Sequence, residues 1–156
     1  MYIYMTTGTF DYLKKVESKY GSETMIIMQN MNGSLLLHES SSESVFKEPR
    51  KYEVFNSNGH LENSGFVVMN NIPVTDEGKP LFEYQTKNID QMIKSGPGLI
   101  AIRVLKPLSS STYVILTQWE DESAFSNWKT SKSYEKVHEK IGTSHGKAHA
   151  QSDGVH

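Results

Sequence analysis

The chain of 156 residues contains no cysteine. That excludes disulfides, iron–sulfur clusters, zinc–thiolate sites, thiolate ligation of any metal and cysteine-nucleophile chemistry. Charge of one sign is lacking too. Sixteen basic against 18 acidic residues leave a formal net charge of −2, too weak a field to recruit nucleic acid or an anionic membrane. Long apolar runs are missing. The longest are strand-sized, far short of the ~20 residues a membrane span needs. The opening MYIYMTTGTF has no basic segment followed by an apolar one, so the cytoplasm is the expected location. Apolar residues are scarce as well, at 37%. With glycine counted and tyrosine omitted the figure is about 39%, below the ~45–50% of ordinary domains. The core is therefore modest, and part of the chain contributes nothing to it. Six histidines are present, so any bound metal must be held by imidazole and oxygen.

Strand and helix signals come in a regular order. Tyr2–Met5 is short and β-prone. Thr9 precedes Phe10, Leu13, Val16 and Tyr20 at helical spacing, and Gly21 ends the helix. Thr24–Met28 and Leu35–His38 make a hairpin about the Asn30–Gly33 turn. Val45–Lys47 is a short extended piece, and Tyr52–Phe55 is a further strand. Asn56–Gly65, rich in Asn, Ser and Gly, is the best candidate linker. Gly65–Ile72 is a strand. Asp76 is the expected cap of a helix carrying Leu81, Phe82, Tyr84, Ile89, Met92 and Ile93. Leu99–Leu105 and Thr112–Trp119 are strands joined by a turn at Pro107–Ser111. Asp121 caps a helix with Ala124, Phe125 and Trp128 on one side. After a break at Thr130–Ser133, a second helical piece carries Tyr134, Val137, His138 and Ile141. From Gly142 onward there is no periodicity and no strand candidate, so a polar mobile tail is expected over 143–156.

Residues 65–141 thus read β-α-β-β-α, the ferredoxin-like order. The first half, residues 1–61, is an abbreviated version of it. The expected fold class is α+β: a ferredoxin-like domain over 62–142 preceded by that half, the two forming a barrel within one chain. Two half-units in one chain favour a monomer.

No phosphate loop, HExxH, nucleophile elbow or EF-hand occurs. The unusual residues are few. Asn70-Asn71 interrupts an apolar strand. Alternation puts Phe66, Val68, Asn70 and Ile72 on one face and Val67, Met69 and Asn71 on the other. Trp128 lies three residues after Phe125, and His138 stands on the last helical piece. Each has an ordinary reading beside a functional one. Asn70 can be a strand-end amide bonded to a loop, Trp128 a core residue, and His138 a surface or capping residue. Functionally, His138 can be an axial ligand to iron. His145, His149 and His156 fall in the tail. His38, at a strand end, and His60, in the linker, are assigned no role.

The combination says more than its parts. The stretch VILTQWEDESAFSNWKTSKSYEKVHEK (Val114–Lys140) resembles the signature of the IsdG-type haem-degrading monooxygenases within the antibiotic-biosynthesis-monooxygenase (ABM) superfamily. The matching positions are Trp119, Phe125, Trp128, Ser131, Tyr134 and His138, with Asn70 on the first strand of the unit. The segments His38–Val54, Asn70–Gly78 and Ala101–Pro107 also look like the longer bacillar members of that family. The resemblance implies a barrel of the dimeric α/β type and a haem monooxygenase that uses haem as both substrate and cofactor, with O2 and an external electron donor. It implies His138 as the axial ligand of the haem iron and Asn70 as a hydrogen-bond donor on the distal side. It implies Trp128 as the residue that presses the porphyrin out of plane. Lys129, Lys132 and Arg103 are candidates for the propionates. On one unbroken helix, Trp128 and His138 would stand roughly 80° and ~15 Å apart, so the break at Thr130–Ser133 is needed to bring both to one ligand. Two other readings use the same fold: a haem-binding or signalling protein of the TRAP type, and a cofactor-free monooxygenase. Relatives usually end in a further sheet strand, for which Gly142–His156 offers no candidate.

Overall fold

The structure, a computed structural model, describes residues 1–89 and 97–130, and the backbone of 150–154. Its first strand, β1 (Tyr2–Gly8), leads into helix α1 (Phe10–Lys19). Thr9 is extended, and its side chain accepts the amide hydrogen of Tyr12 (3.2 Å), so the expected start is realised as an N-cap. Asp11 in the first turn and Lys19 in the last complement the helix dipole. The apolar stripe of α1 buries Leu13 against Met25, Ile27 and Leu36. These come from the hairpin β2 (Thr24–Asn30) and β3 (Gly33–Ser40), paired from Thr24↔Glu39 to Asn30↔Gly33. Strands β4 (Arg50–Asn58) and β5 (Phe66–Pro73) follow, then helix α2 (Lys79–Thr86). Strands β6 (Leu99–Pro107) and β7 (Thr112–Trp119) lead to helix α3 (Glu122–Lys129). The Asp121 carboxylate caps α3 by accepting from the Ala124 amide at 2.8 Å. Strand β8 (Ala150–Gly154) completes the set.

The sheet closes on itself in the order β1-β3-β2-β8-β5-β7-β6-β4, with β4 returning to β1. Every pairing is antiparallel. The fold is the expected α+β ferredoxin-like barrel within one chain, closed between β2 and β8 at the single pair Gln29↔Gly154. Alternation divides each strand between two environments. Ile3, Met5, Ile26, Met28, Leu37, Val67, Met69, Val114 and Leu116 fill the interior. Outside, α1 covers one wall, while Phe82 of α2 and Phe125 and Trp128 of α3 cover the other. Among the described residues, no helix is long and apolar enough to cross a membrane.

Four local expectations are corrected. Val45–Lys47 is bent, not extended. Strand β4 runs on through Asn58 beyond a bulge at Val54/Asn56, because pairing with β6 continues to Asn58↔Ile102. The connection to β5 is therefore shorter than Asn56–Gly65, and it is not a free linker. Its Leu61 is buried in the barrel interior, and Gln118 accepts from the Glu62 amide (2.9 Å) and donates to the carbonyls of Glu62 and Ser64. Gly65 ends this connection at φ +83°, where an added Cβ would collide with the Trp119 carbonyl. Before α2, it is Thr75 and not Asp76 whose side chain accepts a backbone amide, that of Gly78 at 3.1 Å. Asp76 instead pairs with Lys79 at 3.2 Å. Finally, the end of the chain is not all tail. Ala150–Gly154 pairs with β5 from Asn70↔Ala150 to Phe66↔Gly154, and with β2 at Gln29↔Gly154. A strand held on both sides by main-chain groups needs no apolar signature to be stable.

Candidate functional site

The β5 strand sorts its two asparagines to opposite sides of the sheet. Phe66, Val68 and Ile72 belong to the core under α2 and α3, while Val67 and Met69 belong to the barrel interior. Asn70 therefore lies on the helix-covered face and Asn71 on the lumen face. Asn70 is opposite Ile115 on β7 and Ala150 on β8. One end of its carboxamide is buried and has no hydrogen-bond partner among the described residues. Leaving that oxygen, Oδ1, unmatched costs about 1–3 kcal/mol, so no described loop satisfies it.

Trp128 stands on the same face. It is 7% exposed, with its ring 5.5 Å from that of Trp119 at 37°. Trp119 is fully buried and donates from its indole nitrogen to the Thr117 hydroxyl at 2.9 Å. It also packs against Phe125, which in turn meets Phe66. Phe66 and Trp119 are register partners. This aromatic group anchors α3 at the Phe66 end of β5, and Asn70 lies four residues further on, roughly 13 Å along the strand. The amide and the indole thus mark two places on one apolar wall.

At the Asn70 end the wall carries a second polar feature. Tyr113, the partner of Ile72, is fully buried and donates its hydroxyl hydrogen to Glu83 of α2. Lys106 approaches the same Glu83 carboxylate at 3.3 Å. Burial pushes the Tyr113 hydroxyl well above the usual tyrosine range, and the hydrogen bond and negative charge of Glu83 push it further. The phenol is held neutral. Sequence reasoning missed this contact, since helix position 83 and strand position 113 share no motif.

Of the other predicted residues, His138 lies outside the described residues, as do Ser131, Lys132, Tyr134, His145, His149 and His156. Arg103 is described, and it is removed as a candidate for substrate anions. It sits on the lumen side of β6, 4% exposed, and donates from Nε to Glu39 at 2.6 Å and from its terminal nitrogens to Glu39, Asn58 and Ile102. The sheet separates it from Asn70 and Trp128. His38, to which no role is assigned from sequence, is fully buried, and its Nε2 lies 2.8 Å from Glu23. It packs on Tyr4 and Phe46 behind α1, on the wall away from α2 and α3.

Comparison with known proteins agrees with this architecture. The profile of the family described as antibiotic biosynthesis monooxygenase matches residues 65–140. A heme-degrading monooxygenase of Listeria monocytogenes is 30% identical over 150 residues, covering 94% of this chain and 90% of that protein. A signal transduction protein TRAP of Staphylococcus epidermidis is 25% identical over 131 residues, covering 84% and 78%. The solved structure of a major regulator of staphylococcal pathogenesis has the same fold, with a TM-score of 0.90 at 21% identity over 100% of this chain and 99% of that one.

Proposed function

The chain belongs to the antibiotic biosynthesis monooxygenase family, and on that premise we propose that it is a haem-degrading monooxygenase. Haem is its substrate. With O2 and an external reductant or reductase, the porphyrin ring is opened oxidatively and iron is released. The observation that carries this reading is the place of the half-buried Asn70: its Oδ1 is buried without a partner among the described residues, on the apolar wall that also holds Trp128. A group that donates to Oδ1 would remove the cost of leaving that acceptor unmatched, while the amide's Nδ2 is the donor the proposed role uses.

Haem supplies the iron at which O2 is reduced; the residues supply the rest. His138 would hold that iron, a role suited to neutral imidazole in a chain without thiolates. Asn70 would donate a hydrogen bond from Nδ2 to the bound substrate. Its neighbours on that face, Val68, Ile72 and Ile115, are apolar and buried, which would strengthen the amide dipole there. Trp128, backed by Trp119, would press on the bound macrocycle. With Arg103 set aside, Lys129 and Lys132 remain for the propionates. The site belongs to residues 62–142, and residues 1–61 supply strands that complete the barrel within one chain. The protein therefore acts as a monomer, in the cytoplasm, without a nucleic-acid or membrane partner.

A second reading is favoured by the TRAP-named relatives: a haem-binding or signalling protein that performs no chemistry. Titration with haem, followed by ascorbate in air, separates the two. The enzyme forms a stoichiometric complex with a sharp Soret band, which decays once reductant is added. A band that forms and persists overturns the enzymatic reading. No band at all overturns haem as the ligand.

A further inference from the structure

We propose that the open end of the barrel is a second binding site, on the lumen side of β5, for a small organic carboxylate with an apolar tail. The two ends of the barrel are built differently. One is filled by Leu61, by Gln118 with its bonds to the 61–65 connection, and by the Arg103–Glu39 pair. The other holds a cavity of about 420 Å3, in the ~300–1,000 Å3 range of small-molecule sites.

The chemistry of its lining is specific. Met5, Met28 and Met69 form the apolar floor, each buried and each the inward residue of its strand. Unbranched thioethers adapt to the shape of an aliphatic guest. Thr7, Asn71 and Arg50 belong to the rim. Arg50 is the register partner of Met5, which sets its guanidinium at the edge of the methionine floor. It is the one charged side chain of the described lining, and no ion pair holds it among the described residues. The barrel's other arginine is locked to Glu39, so the contrast is between a structural guanidinium and one left available. A guanidinium matches a carboxylate, to which it can bond with two parallel N–H donors, and the Asn71 amide lines the same cavity. The thioether floor then selects an aliphatic tail over a bare inorganic anion. This site needs nothing from the helix-covered face, and the side-by-side asparagines serve one wall each.

The test is a titration of the full chain with hexanoate, followed by 1H–15N spectra. Hexanol and inorganic phosphate are run in parallel as the uncharged and the tail-less probes. The expected result is a saturable shift of the Asn71 side-chain amide and of the Gly8 and Met28 backbone amides with hexanoate only. Arg50→Gln, at an exposed position, weakens hexanoate binding by roughly tenfold, the effect of losing a charge-assisted pair. Asn71→Val weakens it too, and neither substitution alters a haem titration. The site is overturned if hexanoate gives no saturable shift, if hexanol or phosphate binds equally well, or if Arg50→Gln leaves hexanoate affinity unchanged.

Discussion

Asn70 and Asn71 are adjacent in sequence and face opposite sides of one sheet: Asn70 the apolar wall beneath α2 and α3, Asn71 the mouth of the barrel. One peptide bond separates two environments because a strand alternates its side chains. Asn70→Ala is expected to leave haem affinity within a few-fold of wild type. It slows ring opening by about ten- to a hundredfold, the loss of one buried hydrogen bond to a charge-developing group. Asn71→Ala leaves that rate unchanged. Single-turnover decay of the Soret band in the two variants checks this, and equal slowing in both would contradict the assignment.

Trp128 contributes to packing and, on the proposed function, to the site as well. Removing its ring by Trp128→Ala opens a cavity beside Trp119 and Phe125, and costs about 3–5 kcal/mol of stability in urea. Trp128→Phe keeps most of the packing yet loses the indole's contact area. It is expected to fold with a smaller loss of stability while still slowing haem degradation. A Phe variant with wild-type turnover would return Trp128 to the role of a core residue.

Arg103 and Glu39 lie inside the barrel, at 5% and 12% side-chain exposure, with Nε and Oε2 at 2.6 Å. Glu39→Gln leaves a buried guanidinium without its counter-charge and is expected to cost about 3–5 kcal/mol. Haem affinity of the folded variant does not change, since the pair is on the far side of the sheet from Asn70. Urea unfolding with a parallel haem titration measures both effects.

Tyr113 carries the fold's clearest pH signature. Its hydroxyl is held above the ordinary tyrosine value in the folded state, by burial first and then by Glu83. Below the unfolded value of about 10, both states keep the proton and stability does not depend on this group. Above it the unfolded chain gives up the proton while the folded chain retains it, so stability falls as pH rises. Tyr113→Phe is expected to flatten the decline in urea midpoint between pH 10 and 11.5, the range over which only the unfolded phenol ionises. An unchanged slope would contradict the raised value.

Much of this molecule is legible in the residues, and the gaps have physical causes. Thr9 and Asp121 read as caps because a side-chain oxygen before an apolar-periodic segment has few other uses. Phe66–Ile72 reads correctly because a half-sheet must alternate. Strand β8 does not read at all: Ala150–Gly154 joins the barrel through main-chain pairing, which residue identity hardly marks. Asp76 is a good cap by type, yet the N-cap position falls on Gly78, which has no side-chain cap, and Thr75 bonds the Gly78 amide in the turn before it. Arg103 looks like a surface cation until the barrel closes around it, because its partner Glu39 is 64 residues away. On the proposed site, the aromatic spacing and the opposite faces of the two asparagines are legible in the sequence, whereas which face lies under the helices and which lines the barrel needed the sheet.

The most direct measurement follows iron. The haem complex of the full chain is reduced with ascorbate in air in the presence of a ferrous chelator. Soret absorbance and chelated iron are recorded together. A haem-degrading monooxygenase with Asn70 at its distal side releases about one iron per haem lost, and the Asn70→Ala variant does so more slowly. Persistence of the Soret band with no chelated iron, or identical rates in wild type and Asn70→Ala, would contradict the account.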